Sequence, residues 1–449
     1  MALEIPTQAI SPASVGATCD ESAERVILPT LIEWRAREAT RGADGGAEGG
    51  ADSADSADSA DSADGHAPRR ARHTGAERAD RIPREYAMMS AEELDRRIAA
   101  ARATLGERLV ILGHHYQRDE IIKYADARGD SFKLAQFAAA RPEADYILFC
   151  GVHFMAESAD ILSGPHQQVI LPNPAAGCSM ADMANIAEVE ECWEALDALY
   201  ADDAPGENGL QAVIPVTYMN SAANLKAFCG RNGGIVCTSS NAAQVLRWAF
   251  ARGRRVLFFP DEHLGRNTAL ALGIAPEQIV VWNQRKDYGG IEDDAMLLNA
   301  KVILWKGWCS THQRFSVEQI AEARAQYPGV RVVVHPECRH EVVEAADENG
   351  STEYIIKVIE QAPAGSVWAV GTEINLVKRL ADEHPDQTIF CLDPIVCPCS
   401  TMYRVHPAYV AWVLEELVGG RVINQVTVDA ETAKWAKVAL ERMLANKGM

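Results

Sequence analysis

Three stretches of this 449-residue chain are near copies of one another: QQVILPNPAAGC ending at Cys178, AKVILWKGWC ending at Cys309, and QTIFCLDPIVCPC ending at Cys399. Each reads as a short β-branched strand running into a Pro/Gly loop that delivers one thiol. A chain that writes this pattern three times has to build it three times, which restricts the fold to three similar units. Three thiols from three repeats point to a metal cluster at a pseudo-threefold axis. Three ligands rather than four leave one metal position open, which suits catalysis better than structural stapling.

The surroundings of the loops repeat as well. Each unit opens with a strand ending in polar residues: RLVILGHHYQ with His114 and Tyr116, AVIPVTYMN with Tyr218 and Asn220, and RVVVHPE with His335 and Glu337. From His114 to Tyr218 is 104 residues, and from Tyr218 to His335 is 117. A hydroxyl-bearing turn then opens a helix, at Ser131, at Ser239, and at Ser351 and Thr352. A second strand and helix follow (YILFCGVHFMAESADIL, RVLFFPDEHLGRNTAL, SVWAVGTEINLVKRL), and the third strand leads to the cysteine. The expected fold is therefore α/β, three similar β-α-β-α-β domains with parallel sheets around a pseudo-threefold axis. The expected boundaries are 86–188 with Cys178, 189–315 with Cys309, 316–405 with Cys399, and C-terminal helices over 406–449. Residues 1–85 carry a Ser-Ala-Asp repeat and an Arg-rich stretch. They read as a disordered low-complexity tail, unable to bury enough apolar surface to offset chain entropy.

A net charge of −20 disfavours a nucleic-acid partner. No apolar run is long enough to span a bilayer, so no membrane role is expected. The N-terminus lacks a basic segment followed by an apolar one, and a cytoplasmic location is expected. The 11 cysteines are too sparse for a disulfide scaffold and read as ligands or core residues.

Grouped thiolates select zinc, copper(I) or an iron–sulfur cluster. A single Cys is ordinarily a small buried hydrophobe, the reading given to Cys150, Cys192 and Cys229. Cys237 and Cys338 lie near candidate site residues but have no partner in the repeat. Cys397-Pro398-Cys399 is the one tight pair, and it leaves the third ligand open between two thiols. His114, Tyr116, Tyr218, Asn220, His335 and Glu337 sit at carboxyl ends of strands, where parallel sheets gather ligands. His and Glu can move protons, while Tyr and Asn can donate to a developing oxyanion. A Ser or Thr at a helix start is by default an N-cap. Three such helix starts around one cavity also hold anions, so a small molecule carrying carboxylate or phosphate is the expected ligand. Neither a Walker A sequence nor a GxGxxG fingerprint occurs, and a nucleotide is not indicated.

These residues resemble the quinolinate synthase family, iron–sulfur enzymes of de novo NAD biosynthesis. The resemblance runs from about Ala87 to Gly420 through LGHHYQ, GDSFKLA, PNPAAGCSMADM, VTYMNSAANLKA, CTSSNA, FFPDEHLGRNTA, WKGWCSTHQRF, HPECRHEV, NGSTEYI, GTEINLVKRL and CSTM. It implies three α/β domains and a 4Fe–4S cluster on Cys178, Cys309 and Cys399, with one iron open. The family sets its last ligand three residues before a Met, which selects Cys399 ahead of Met402 over Cys397. It implies substrate contacts at His114, Ser131, Tyr218, Asn220, Ser239, His335, Glu337 and Thr352, with Met219 and Pro336 between them. Tyr116 matches a mobile tyrosine, and Glu337 is the first choice for proton transfer, with His335, Tyr218 and His114 polarising. The implied substrates are iminosuccinate and dihydroxyacetone phosphate, and the implied functional neighbour is an aspartate oxidase or dehydrogenase that makes iminosuccinate. The long tail, the residues around 189–210 and the glycines near Gly230–Gly234 depart from the family pattern. The competing readings are an electron carrier, which ordinarily saturates its cluster with four Cys, and a zinc hydrolase.

Overall fold

Runs of Val, Ile, Leu and Phe that stay apolar at every position, rather than at every second one, make strands covered on both faces, as parallel sheets require. The computed structural model describes residues 81–201, 209–395 and 398–446. The tail up to residue 80, residues 202–208 within the 189–210 departure, and Cys397 lie outside the described residues.

The strands form three sheets. The first contains β1 (Leu109–His114), β2 (Ala127–Gly129), β3 (Tyr146–Cys150) and β4 (Gln168–Ile170). The second contains β5 (Gln211–Tyr218), β6 (Ile235–Cys237), β7 (Gly253–Phe259), β8 (Ile279–Trp282) and β9 (Val302–Trp305). The third contains β10 (Arg331–Val334), β11 (Glu348–Asn349), β12 (Val367–Gly371) and β13 (Thr388–Cys391). A final short strand, β14 (Gln425–Val426), returns to the first sheet. Their orders are β14-β4-β3-β1-β2, β6-β5-β7-β9-β8 and β11-β10-β12-β13. Each sheet thus places its first strand between its second and third. All pairings are parallel except β14 on β4.

The α/β class with parallel sheets is as the repeats imply. The structure adds elements to the β-α-β-α-β unit. A helix and a short edge strand (β2, β6 or β11) precede each hydroxyl turn. At two or three residues these strands are too short to show any hydrophobic period. The second sheet also inserts β8 and the helix Asp294–Asn299 before its cysteine strand. The C-terminal segment is not helical throughout, because β14 separates Pro407–Val418 from Ala430–Ala445 and covers an edge of the first sheet.

One apolar core runs through the first two sheets and the C-terminal helices. Two smaller cores lie on opposite faces of the third sheet, with Val332, Val334 and Ala369 on one face and Val333, Trp368 and Val370 on the other. Gly230 lets the helix Ala223–Arg231 approach the C-terminal helix, since a Cβ there would lie 1.9 Å from the Trp435 carbonyl oxygen. Cys150, Cys192 and Cys229 are fully buried core residues, as the default reading expects. Among the described residues, no helix is long and apolar enough to cross a membrane.

Candidate active site

The cysteine loops are copies down to individual hydrogen bonds. The carbonyls of Cys178, Cys309 and Cys399 accept the N–H of the residue four on, from Asp182, Gln313 and Tyr403, at 3.0, 3.0 and 2.9 Å. Each thiol receives a backbone N–H from the residue three on, Ala181, His312 or Met402. A 3-10 turn starts there each time: Ala181–Met183, His312–Arg314 and Met402–Arg404. Seven residues beyond each cysteine stands the N-cap of an α-helix, Asn185, Ser316 or His406, with its side chain accepting a helix N–H. Gly307 lets the second loop close on the turn after β7, because a Cβ would meet the Pro260 carbonyl oxygen at 2.2 Å.

The three thiols come together. Burial, with a smaller push from the Cys399 charge, takes Cys178 up to about 12; burial, then the Glu337 charge, then the Cys399 and Cys178 charges push Cys309 well above the usual thiol range. Burial also raises Cys399. None of the three is in a disulfide. Three thiols that oppose one another's ionisation, each with a backbone N–H aimed at its sulfur, suit a shared cationic group. Cys309, His312 and Glu337 also offer ligand atoms within 4.8 Å of one another, a grouping that could hold a metal ion.

Beside the thiols lie the polar strand ends. His312 Nδ1 is 2.8 Å from Glu337 Oε2, and its Nε2 is 3.2 Å from Thr372 Oγ1. Thr372 Oγ1 is also 2.9 Å from the Tyr116 hydroxyl. His335 stacks on His312 with centroids 4.5 Å apart. The His114 ring stands edge-on to Tyr116 at 4.9 Å. Tyr218 donates to Glu337. His114, Tyr116, Tyr218, His335 and Glu337 are thus brought together.

Their electrostatics diverge. Burial drives His114 and His335 down to about 3. Burial and then the Glu337 charge push Tyr116 and Tyr218 up. Burial works against ionisation of Glu337 itself. The neighbouring imidazoles and the hydrogen bonds from His312 and Tyr218 nevertheless hold its carboxyl below the ordinary range. Asp261, buried at the end of β7, is pushed up by burial and by Glu337. Two carboxyl groups driven apart in this way can hold and accept a proton at one pH.

The hydroxyl turns divide. Ser351 caps the helix Thr352–Glu360 through Tyr354 N at 3.3 Å, and Asp130 accepts Lys133 N at 2.8 Å ahead of Ser131–Ala139. Ser131 and Thr352 therefore stand at the first helical position rather than at the cap, and both are buried. Lys133 and His115 both reach Glu353, at 3.3 and 2.9 Å, which links these two helix starts. Ser239 and Asn220 are half-buried, and among the described residues no hydrogen bond joins either to the rest of the site. Met219 is buried, and Pro336 accepts from Asn267 Nδ2 at 2.9 Å.

Several residues escaped the sequence reading. His312 occupies the position taken by Ala181 and Met402 in the sister loops, and that lone polar exception was a readable signal. Thr372 and Glu373 follow β12. Glu373 Oε1 accepts the Cys399 N–H at 3.1 Å, and burial raises its pKa to about 7. Buried Arg379 clamps the His114 turn through Asp119 Oδ1, His115 O and Gln117 O at 2.8, 2.9 and 2.6 Å.

Residues 96–445 match the family model described as Quinolinate synthetase A protein. The chain belongs to the quinolinate synthase family. It is 61% identical over 370 residues to the quinolinate synthase of Corynebacterium glutamicum, covering 82% of this chain and 92% of that relative. With the quinolinate synthase of Nocardioides sp. it shares 56% over 380 residues, 83% of this chain and 94% of the relative. With that of Streptomyces coelicolor it shares 54% over 374 residues, 82% and 92%. The chain is therefore an enzyme of this family, and the shared region takes in the three cysteine loops and every polar strand end.

Proposed function

We propose that this chain condenses iminosuccinate with dihydroxyacetone phosphate to give quinolinate, in the de novo route to NAD. The atoms balance with release of one phosphate and two waters, as one C–C and one C–N bond form and the phosphate ester breaks. No oxidant is consumed. The observation that carries the reading is the set of three equivalent cysteine loops bordering one buried, unlike set of proton-handling groups.

Cys178, Cys309 and Cys399 would hold a 4Fe–4S cluster, leaving one iron without a protein ligand. When bound, the cluster supplies a Lewis-acidic iron for substrate oxygen or nitrogen. Glu337, its carboxyl held below the ordinary range beside His335 and His312, accepts a proton from the condensing carbon and returns it to a leaving oxygen. Tyr218 and His335 donate to developing charge, and His114 orients Tyr116. Ser131 and Thr352 hold carboxylate or phosphate at helix starts and Ser239 in the turn before the helix Ala242–Phe250, with Asn220, Met219 and Pro336 completing the wall. Iminosuccinate hydrolyses readily, so Tyr116 serves to exclude water. An aspartate oxidase or dehydrogenase is the functional neighbour that supplies iminosuccinate, and the cytoplasm is the proposed location.

The test is anaerobic purification with iron, sulfide and zinc assay, followed by quinolinate formation from both substrates. One 4Fe–4S cluster per chain and quinolinate formation are expected. The proximity of Cys309, His312 and Glu337 favours a second reading, a single divalent ion on these three donors. Stoichiometric zinc without iron after cluster reconstitution would establish that reading and overturn the first.

A further inference from the structure

We propose that Asn267, on a helix that follows the second sheet's β7, is a positioning residue that fixes the backbone turn carrying Glu337. The inference rests on the function proposed above and deepens it.

Glu337 lies in the turn between β10 and the helix His340–Ala345. A turn has no ladder of its own, so its buried carbonyls need partners from elsewhere. Here they come from segments that follow strands of the second sheet. Asn267 Nδ2 donates to Pro336 O and to Cys338 O, both at 2.9 Å. These are the carbonyls immediately before and after Glu337. Gln313 Nε2, from the second cysteine loop, reaches the Glu337 carbonyl itself at 3.4 Å. Asn267 Oδ1 is 2.9 Å from His340 Nδ1, so the same side chain also holds the start of the next helix.

The donor inventory fixes which way the amide points. Carbonyl oxygens only accept, so the NH2 of Asn267 faces them and spends one hydrogen on each. Its oxygen is then turned to His340, whose Nδ1 carries a proton and donates. Asn267 is buried, and every polar atom of its side chain has a partner.

Local sequence brings the residue there. Asp261 caps the helix Glu262–Ala271 through Leu264 N at 2.7 Å. Gly265 seats that helix on the second sheet, since a Cβ would lie 2.5 Å from Leu304 Cδ2 and 2.8 Å from Phe258 Cδ1. Asn267 comes two residues later, about 200° around the helix. It therefore faces away from that sheet and onto the Glu337 turn. A general base acts only where its carboxylate is aligned with the reacting atoms, so a small shift of the turn lowers the rate steeply.

Asn267→Leu removes both donors at similar volume. It should lower kcat for quinolinate formation about tenfold or more. KM for both substrates should stay within about twofold, and iron and sulfide per chain should not change. Asn267→Asp keeps the shape and the oxygen facing His340, but sets a second acceptor against two carbonyls. Its kcat should fall at least as far as that of the Leu variant. A packing role predicts the reverse order, because Asp is the closer isostere. In a Glu337→Gln background either substitution should change kcat less than about twofold, since Glu337 is the group through which Asn267 acts.

Near-normal turnover by Asn267→Leu overturns the inference. So does an Asp variant milder than the Leu variant, or rate losses that multiply with Glu337→Gln. If the Asp variant alone does not fold, the Leu variant and its double-mutant cycle decide. Loss of folding or of the cluster in both would make the residue structural and overturn the inference equally. An unaltered chain that carries its cluster yet forms no quinolinate would instead sink the proposed function, and this inference with it, before any variant is compared.

Discussion

The cysteine loops and the polar strand ends are both built three times, but only the loops are copies. From each cysteine, the 3-10 turn begins at the third residue and the helix cap stands at the seventh, in all three cases. The strand ends carry His114 and Tyr116, then Tyr218 and Asn220, then His335 and Glu337: His recurs at the first place in two of them, and the second place differs in all three. A symmetric group can be held by three equal arms. A substrate with different functional groups at each position needs unlike partners, and the strand ends offer them. At the third position of the loop, where the first and third loops carry Ala181 and Met402, the second carries His312, which hydrogen-bonds to Glu337.

The sharpest way to break this comparison is to remove one arm. Cys178→Ser, Cys309→Ser and Cys399→Ser should each abolish the cluster and all quinolinate formation, read by anaerobic iron and sulfide content. Cys397→Ser should keep both. The opposite result for Cys397 and Cys399 would show that the third loop does not share the register of the other two.

Next in size is the unlike set. Glu337→Gln should retain the cluster and lose about 10²–10⁴-fold in kcat, the range for a displaced general acid–base group. Near-normal turnover would move proton transfer to His335.

Smaller effects should separate capping from ligand holding. Ser351→Ala should cost about 1 kcal/mol of stability in denaturant titrations and leave KM alone. Thr352→Ala should barely change stability and raise KM several-fold. Equal effects of the two on KM would deny that division.

The smallest effect concerns the loop caps. Asn185 and Ser316 do not titrate, but His406 does. Desolvation by its neighbours, then the Arg118 charge, lower its pKa to about 4. The folded value lies below the unfolded one, so its contribution is complete above about pH 6.5 and is lost as pH falls towards 4. His406 is exposed, and solvent screening keeps this below about 1 kcal/mol. His406→Asn, which copies the cap of the first loop, should flatten the stability profile across that interval. An unchanged profile would show that acid sensitivity lies elsewhere.

Much of the architecture was legible because apolar strands and cysteine loops are local patterns. Val302–Trp305 reads as a buried strand, and Cys309 seven residues before a Ser cap reads as its loop. The short strands β2, β6, β11 and β14 were not legible, since their pairing comes from neighbours distant in sequence. The caps were misread for a related reason. A hydroxyl at a helix start looks like a cap, yet Asp130 and Ser351 take that role one residue earlier and leave Ser131 and Thr352 inward. Thr372, Glu373 and Arg379 lie in the GTEINLVKRL stretch that carries the resemblance, but as a strand–helix segment it gives no local sign of which side chains face the site.

The α/β class with parallel sheets follows from the sequence alone, because apolar strands and the loops ending at Cys178 and Cys309 are written in contiguous residues, while the third loop offers Cys397 and Cys399 alike. Only tertiary structure decided which groups share protons. The chain from Tyr116 through Thr372 and His312 to Glu337 joins residues as far as 256 positions apart. Its hydrogen bonds depend on angstrom-scale approach of four segments that no local pattern encodes.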